Sequence, residues 1–333
     1  MKSSTRTSVR PFGPSDYEAA IAVNRAAYPD YTEGLVEWRH WDETWEADKY
    51  FKTRLVAEDG GTVVGWAQLN HSPWAFVADK YRIDVTVLPD FRRRGHGSAL
   101  HDQLVDIARA RGARALQASA KESHADGIAF LARRGYHERK RDWESRLFVR
   151  GFDFARFAGA DERVEKQGIR ISTLAAERAS DPDALRKAYE LDTDCSRDVP
   201  SVDPHTDRPY EEWLKHAIEA PNALPDAWFI AIDRDGRYLG LSDLFSSLDD
   251  PKFLWQGLTG VRRDARGRGI AMALKLRTVR YALDRGVEHI KTWNDVNNRP
   301  MLAINVAMGF ERQPAWITVE KDLSGPSQSA SSS

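Results

Sequence analysis

The sequence predicts an α/β protein with a mixed, α+β-type sheet, laid down twice in tandem. Three observations predict it. A basic, glycine-rich turn occurs twice, each time after an apolar strand and before a helix: Val87-Leu88-Pro89-Asp90-Phe91-Arg92-Arg93-Arg94-Gly95-His96-Gly97 and Val261-Arg262-Arg263-Asp264-Ala265-Arg266-Gly267-Arg268-Gly269-Ile270-Ala271. Apolar runs around Glu58-Asp59-Gly60-Gly61 and around Asp233-Arg234-Asp235-Gly236 place a hairpin ahead of each turn. Beyond the turns the copies keep step, with Gly112 falling on Gly286, Gly135 on Gly309 and Tyr136 on Phe310 at one displacement. A constant displacement marks a structural repeat. Ahead of the turns the displacement drifts, as two front halves with different tasks would leave it.

The elements follow in order. Val9-Arg10-Pro11-Phe12 is a short strand, and Ser15 or Asp16 caps a helix running to about Ala27. Trp38, Trp41 and Trp45 recur at helical spacing, which places them on one face, against a core. The first hairpin and a strand from Tyr81 to Val87 lead into the first turn. Leu100, Leu104, Ile107 and Ala108 mark the buried face of the next helix, which stops near Gly112. Strand Ala115–Ala118, helix Ala125–Arg134 and strand Asp142–Val149 complete the first half. Residues 8–150 are therefore one expected domain, the irregular, charged stretch 151–167 a linker, and 168–323 the second domain. There the order restarts with strand Gly168–Ile171, helices Asp183–Asp192 and Arg208–Ile218, a hairpin, strand Leu254–Val261 and the second turn. A long helix to Gly286, strand Ile290–Trp293, helix Pro300–Met308 and strand Ala315–Glu320 close it. The Ser-rich tail 324–333 is expected to be disordered.

Composition removes several function classes. The 333 residues carry 41% hydrophobic and 30% charged side chains with a formal net charge of −1. That is ordinary for a globular protein and supplies no global field for nucleic acid or an anionic membrane. Cys195 is the single cysteine, so no intrachain disulfide or cysteine-rich metal site forms, and a cytoplasmic location is expected. The first residues lack the apolar core of a secretory signal, and no apolar run reaches the ~18 residues of a membrane span. His71 and His124 stand alone, without metal-ligand spacing, and no metal is assigned.

The turns carry the chemistry. A helix start leaves its first backbone N–H groups without intrahelical partners, and the helix dipole adds positive charge there. Glycine lets the backbone approach a phosphate closely, and arginine adds charge-assisted hydrogen bonds. Arg-x-x-Gly-x-Gly/Ala therefore suits a pyrophosphate. Gly-Lys-Ser/Thr and Gly-x-Gly-x-x-Gly are absent from both copies, which argues against a P-loop and a dinucleotide fingerprint.

In this order the residues resemble the GNAT (GCN5-related N-acetyltransferase) superfamily, present twice, with a layout similar to that of mycothiol synthase. The carriers are the two turns together with Phe130-Leu131-Ala132-Arg133-Arg134-Gly135-Tyr136 and the stretch from Asn298 to Phe310. The resemblance implies two tandem GNAT domains, each a mostly antiparallel sheet with a parallel fourth-and-fifth strand pair and flanking helices. It implies acetyl-CoA as cofactor, its pyrophosphate on the backbone of Arg93, Arg94, Gly95, His96, Gly97 and Ser98, and of Gly267, Arg268, Gly269, Ile270, Ala271 and Met272, with Arg92 and Arg266 among the cofactor contacts. The pantetheine arm would lie along Val85-Thr86-Val87 and Thr259-Gly260-Val261 as a surrogate strand, beside a bulge that opens the sheet. Asn298 joins the cofactor contacts.

The implied function is acetyl transfer to a primary amine of a small molecule, by a monomer or homodimer. An alkyl ammonium, with a pKa near ~10.4, must lose a proton, and the CoA thiolate gains from an acid. The tyrosine that the family often places after the fifth strand is replaced by Leu131 and Asn305. The second half is the expected catalytic half, with Asp243 as base, Asn305 toward the sulfur, Asn294 and Gln256 nearby, and Asp198, Asp203 and His205 in a covering loop. Asp84 lies on the strand before the first turn. The competing reading is a non-catalytic acyl-CoA-binding protein with two degenerate halves.

Overall fold

The computed structural model describes residues 7–31 and 33–325; the end of the Ser-rich tail, 326–333, lies outside the described residues. The first half runs β1 (Ser8–Pro11), α1 (Tyr17–Ala27), α2 (Leu35–Glu43), β2 (Lys52–Asp59), β3 (Thr62–Asn70), β4 (Lys80–Val87), α3 (His96–Ala110), β5 (Ala115–Lys121), α4 (Ala125–Arg133) and β6 (His137–Phe148). A short helix, α5 (Ala160–Glu165), follows. The second half runs β7 (Arg170–Thr173), α6 (Leu174–Arg178), α7 (Ala184–Ser196), α8 (Tyr210–Trp213), β8 (Ala223–Ile232), β9 (Tyr238–Ser246), β10 (Phe253–Val261), α9 (Ile270–Asp284), β11 (His289–Asp295), α10 (Arg299–Met308), β12 (Glu311–Arg312) and β13 (Trp316–Asp322).

All of these strands join one continuous sheet in the order β1-β2-β3-β4-β5-β13-β6-β11-β10-β9-β8-β7, with β12 beside β6. The pairs β4–β5 and β10–β11 are parallel and the rest antiparallel. The halves have exchanged their last strands. β13, from the end of the chain, slots between β5 and β6, and β6 then pairs β11 of the second half. The exchange reaches the cores. Ile317 and Val319 pack with Leu69, Leu100 and Leu116 under α3, while Leu147 and Val149 pack with Leu254, Leu274 and Ile290 under α9. Alternation on a half-buried sheet explains why these particular side chains point inward.

On the opposite face α1 and α2 bury Ile21, Val23 and Trp38 against Val56 and Trp66, and α7 and α8 bury Leu191 and Trp213 against Ile230 and Leu241. The tryptophan stripe therefore splits. Trp38 is core, Trp41 is exposed, and Trp45 lies past the end of α2, its indole N–H donating to the carbonyl of Tyr50. The 151–167 stretch is not irregular. Phe152, Phe154 and Phe157 pack on the second core, and α5 follows, because aromatic burial outweighs the charge of its neighbours. The strand predicted over 142–149 is longer, since β6 has partners on both edges.

Candidate active site

Each turn makes the same backbone shape. Gly95 (φ 97°) and Gly269 (φ 85°) are the residues before α3 and α9, both left-handed, and no side chain caps either helix. Two positions earlier the second copy uses Gly267 (φ 76°), whereas the first holds Arg93 at φ 64°. A non-glycine residue in that region is strained, and such strain concentrates at ligand-clamping sites. The uncapped N–H groups are the anion-binding feature inferred above.

The first turn opens onto a large cleft, about 780 Å³, between β4, β5 and α4. Parallel pairing between β4 and β5 stops at Arg82 and Gln117, so the strands part beyond it. The cleft is lined by Val85, Thr86, Val87, Arg92, Arg93, Gly95, Gly97 and Ser98, as expected from sequence. The side chains of Arg94 and His96 turn elsewhere. Arg94 donates to the carbonyl of Asp90, and His96 is buried beside Thr7. Arg133 and Arg134 also line the cleft; Arg134 donates to Ser98 Oγ at 2.8 Å and stacks on Phe130. A cleft of this size, with a basic rim and an apolar floor, fits a phosphorylated, pantetheine-bearing cofactor. The expected bulge is missing here: β3 and β4 pair in unbroken register from Gly65–Val87 to Asn70–Arg82.

At the depth of the cleft, sequence reasoning missed Tyr28. It directly follows α1 and stacks between His124 (ring centroids 4.8 Å apart) and Trp316 (5.5 Å). Burial, then the charge of Asp84, raises the Tyr28 phenol above its ordinary pKa, so it stays protonated. Burial, then Arg92, lowers that of His124, so it stays neutral. Leu131 lines the same cleft, where the family's tyrosine is absent. A lone tyrosine after a helix has no motif spacing; only its place in the assembled cleft reveals it. Asp84 pairs with Arg82 at 3.1 Å.

The second turn is covered. Arg263 and Arg266 both pair with Asp198, and Arg262 pairs with Asp194, all from the end of α7 or just after it. Gln167 exchanges hydrogen bonds with Arg268, and Arg163 of α5 lies against Gly269. Ile270 is core and Met272 packs against it; Ala271 is half-buried. Thr259 Oγ1 lies 2.8 Å from Ser242 Oγ, and Gly260 receives Cys195, an approach that only a residue without Cβ permits. Val261 accepts from Arg266 Nε, as Val87 does from Arg92.

The expected bulge is present in this half, between Gln256 and Thr259. The Asp243 carboxylate lies against Gly257 within it. Burial, then the charge of Asp192, pushes Asp243 up to about 8. Gln256 donates to the Asp243 carbonyl, and Lys275, driven down to about 7 by burial, lies 3.5 Å from Gln256 Oε1. Asn298 accepts from the Met301 N–H as the cap of α10, and Asn305 donates to Asn294 Oδ1 at 2.6 Å, leaving its own buried Oδ1 without a partner. His205 lies 3.8 Å from Asp207, and Asp203 pairs with Lys80 across the halves. No cluster of metal-ligating side chains exists among the described residues, and no described helix is long and apolar enough to cross a membrane.

The model of the family described as "Acetyltransferase (GNAT) family" matches residues 17–136 and again 185–310. The chain belongs to that family. It is a tandem GNAT N-acetyltransferase. A mycothiol acetyltransferase of Thermobifida fusca (strain YX) is 28% identical over 267 residues, 77% of either chain. One from Saccharomonospora viridis is 26% identical over 78% of each. A GCN5-related N-acetyltransferase from Sphaerobacter thermophilus superposes with a TM-score of 0.69 at 20% identity, covering 95% of both chains. A tandem GNAT protein from the clavulanic acid biosynthesis pathway gives 0.69 at 20%, covering 97% of this chain and 100% of the other. These last two carry the fold alone.

Proposed function

We propose that the protein transfers an acetyl group from acetyl-CoA to the primary amine of a small molecule, and that the first half is the working one. The observation that carries this is the cleft that runs from the uncapped Gly95–Ser98 turn to Tyr28. Backbone N–H groups at the start of α3, with Arg92, Arg93 and Arg134, would hold the phosphates, and Val85–Val87 the pantetheine arm. When bound, acetyl-CoA supplies an activated acyl carbon. His124, neutral, takes the proton from the attacking amine. Tyr28, protonated, donates to the departing sulfur as the new C–N bond replaces C–S. Amide and free thiol are the products, and Tyr28 and His124 reset by exchange with water.

The test is a matched pair. A Cβ on Gly97 would meet Val85, Val87 and Phe130 only at ordinary contact distances, 3.6–4.0 Å, so Gly97→Trp fills the cleft without backbone strain. It should cut thiol release at least ~100-fold, while Ala271→Trp at the equivalent position of the second half leaves the rate within ~3-fold. The reverse result would move the reaction to the second half.

That second reading has its own support, the bulge at Gln256–Thr259 with Asp243 poised near neutrality inside it. A carboxylate tuned toward the working pH is what a general base requires. The non-catalytic reading rests on Leu131 and Asn305 standing where a tyrosine is usual. It predicts CoA binding without thiol release against any amine.

A further inference from the structure

A second chamber of about 620 Å³ lies between the halves, on the polar face of the sheet where β4, β5, β13, β6 and β11 run side by side. It adjoins the cofactor cleft. Ser119 lines both, and Tyr28 in the cleft stacks on Trp316 in the chamber. The acetyl group and its acceptor must meet within bonding distance, so the acceptor has to approach Tyr28 from here or from bulk solvent.

We propose that this chamber is the acceptor site, built jointly by both halves, and that it takes a single amine on a compact, saturated ring bearing several hydroxyl groups. The inference rests on the first-half cleft being the working one. Its walls are flat and aromatic: Tyr31 and Trp74 come from the first half, Trp293 and Trp316 from the second. Such rings pack on the apolar face of a saturated or aromatic ring. Between them stand short polar groups. Ser119 Oγ lies 3.2 Å from Thr318 Oγ1, and Gln117 and Ser201 add further edges. That mixture matches a ligand with apolar faces and a hydrogen-bonding rim.

Charge narrows the class. The chamber's acids are each tied to a lysine: Asp142 to Lys140 at 2.8 Å, and Asp203 to Lys80 at 2.6 Å. Arg82, also in the lining, is held by Asp84. With no surplus negative charge, a polyamine gains nothing by leaving water, whereas a monoamine enters in its neutral, reactive form. The walls are also pinned, because the Thr206 N–H donates to the Trp74 carbonyl at 2.9 Å and Thr206 Oγ1 accepts from the Phe76 N–H. The loop from the second half thus closes a site whose cofactor lies in the first.

The experiment compares wild type with Trp74→Ala and Trp293→Ala, using D-glucosamine, spermidine and tyramine as acceptors. CoA affinity is measured by calorimetry on the same samples. Trp74 is 54% exposed, so its truncation leaves folding intact. Wild type should prefer D-glucosamine by at least ~10-fold in kcat/KM. Both variants should raise the acceptor KM by ~10-fold or more with CoA affinity unchanged. An unchanged acceptor KM in Trp74→Ala overturns the chamber as acceptor site. Preference for spermidine or tyramine overturns the ligand class. No CoA binding by wild type overturns the underlying acetyltransferase reading, and loss of turnover in Ala271→Trp with Gly97→Trp active overturns the choice of half.

Discussion

Replacing Asp243 with asparagine separates a catalytic carboxylate from a structural one. The side chain, on β9, is buried against the β10 bulge, and burial, then the charge of Asp192, pushes its pKa up to about 8. In the unfolded chain an aspartate titrates near ~3.9. The folded state therefore holds a proton that the unfolded state releases. The protonated acid's contribution is fully present below pH ~4 and is lost progressively as pH rises toward ~8. Each unit of pKa difference is worth about 1.4 kcal/mol, so between pH 5 and pH 8 the ceiling on this loss is about 4 kcal/mol. Part of the upward push comes from Asp192, which shares the titration, so a smaller figure is expected in practice. The asparagine side chain cannot ionise, so the variant escapes this loss. Urea denaturation at pH 5, 6, 7 and 8 should show Asp243→Asn gaining on wild type as pH rises, by at least ~1.5 kcal/mol over the range. A difference that stays flat with pH would refute the buried, protonated carboxylate. If kcat also falls ~100-fold or more while this stability gain appears, the carboxylate is a base and the second half does the chemistry.

Tyr28→Phe removes one oxygen from the aromatic stack and should lower kcat about 100-fold with CoA affinity unchanged, read by thiol release and calorimetry. A change within ~3-fold would exclude Tyr28 as the acid. Ile317→Ala truncates a β13 side chain in the core of the other half and should cost about 2–5 kcal/mol, seen as an early urea transition of the first half's signals along with the second's. Residues 8–150 produced alone should lack a cooperative transition, because the slot between β5 and β6 is empty without β13; a sharp two-state melt of that fragment would contradict the exchange.

Local chemistry made most of the elements legible. The hairpins, the two turns with their left-handed glycines, and the helices ending at Gly112, Gly135, Gly286 and Gly309 all answer to short-range rules. The parallel pairs were implied by the resemblance, and of the residues it named at the first turn Val85–Val87, Gly95, Gly97 and Ser98 line the cleft. What escaped was non-local. Nothing in the run from Trp316 to Asp322 says that its neighbours are β5 and β6 rather than β11, since an alternating strand fits any open edge. Tyr28 escaped because its role depends on His124 and Trp316 arriving from distant segments. The two turns looked interchangeable as sequence. They differ because Asp194, Asp198, Arg163 and Gln167, none of them in the motif, settle over one and not the other.

The exchanged strand also sets a schedule for making the protein. While the chain is being synthesised, the first half can form β1 to β5 and its helices. The strand that must lie beside β5 is among the last described segments to be made. Until then β5 and β6 present unpaired edges and the apolar face that Ile317 and Val319 will cover. The nascent chain thus waits, with an open, sticky seam, for β13 to be made. A segment able to pair with that seam, from another copy or an incomplete product, would compete for it. Expression yield should therefore depend on the rate at which the final strand is delivered, and a chain truncated just before Trp316 should aggregate rather than fold partially.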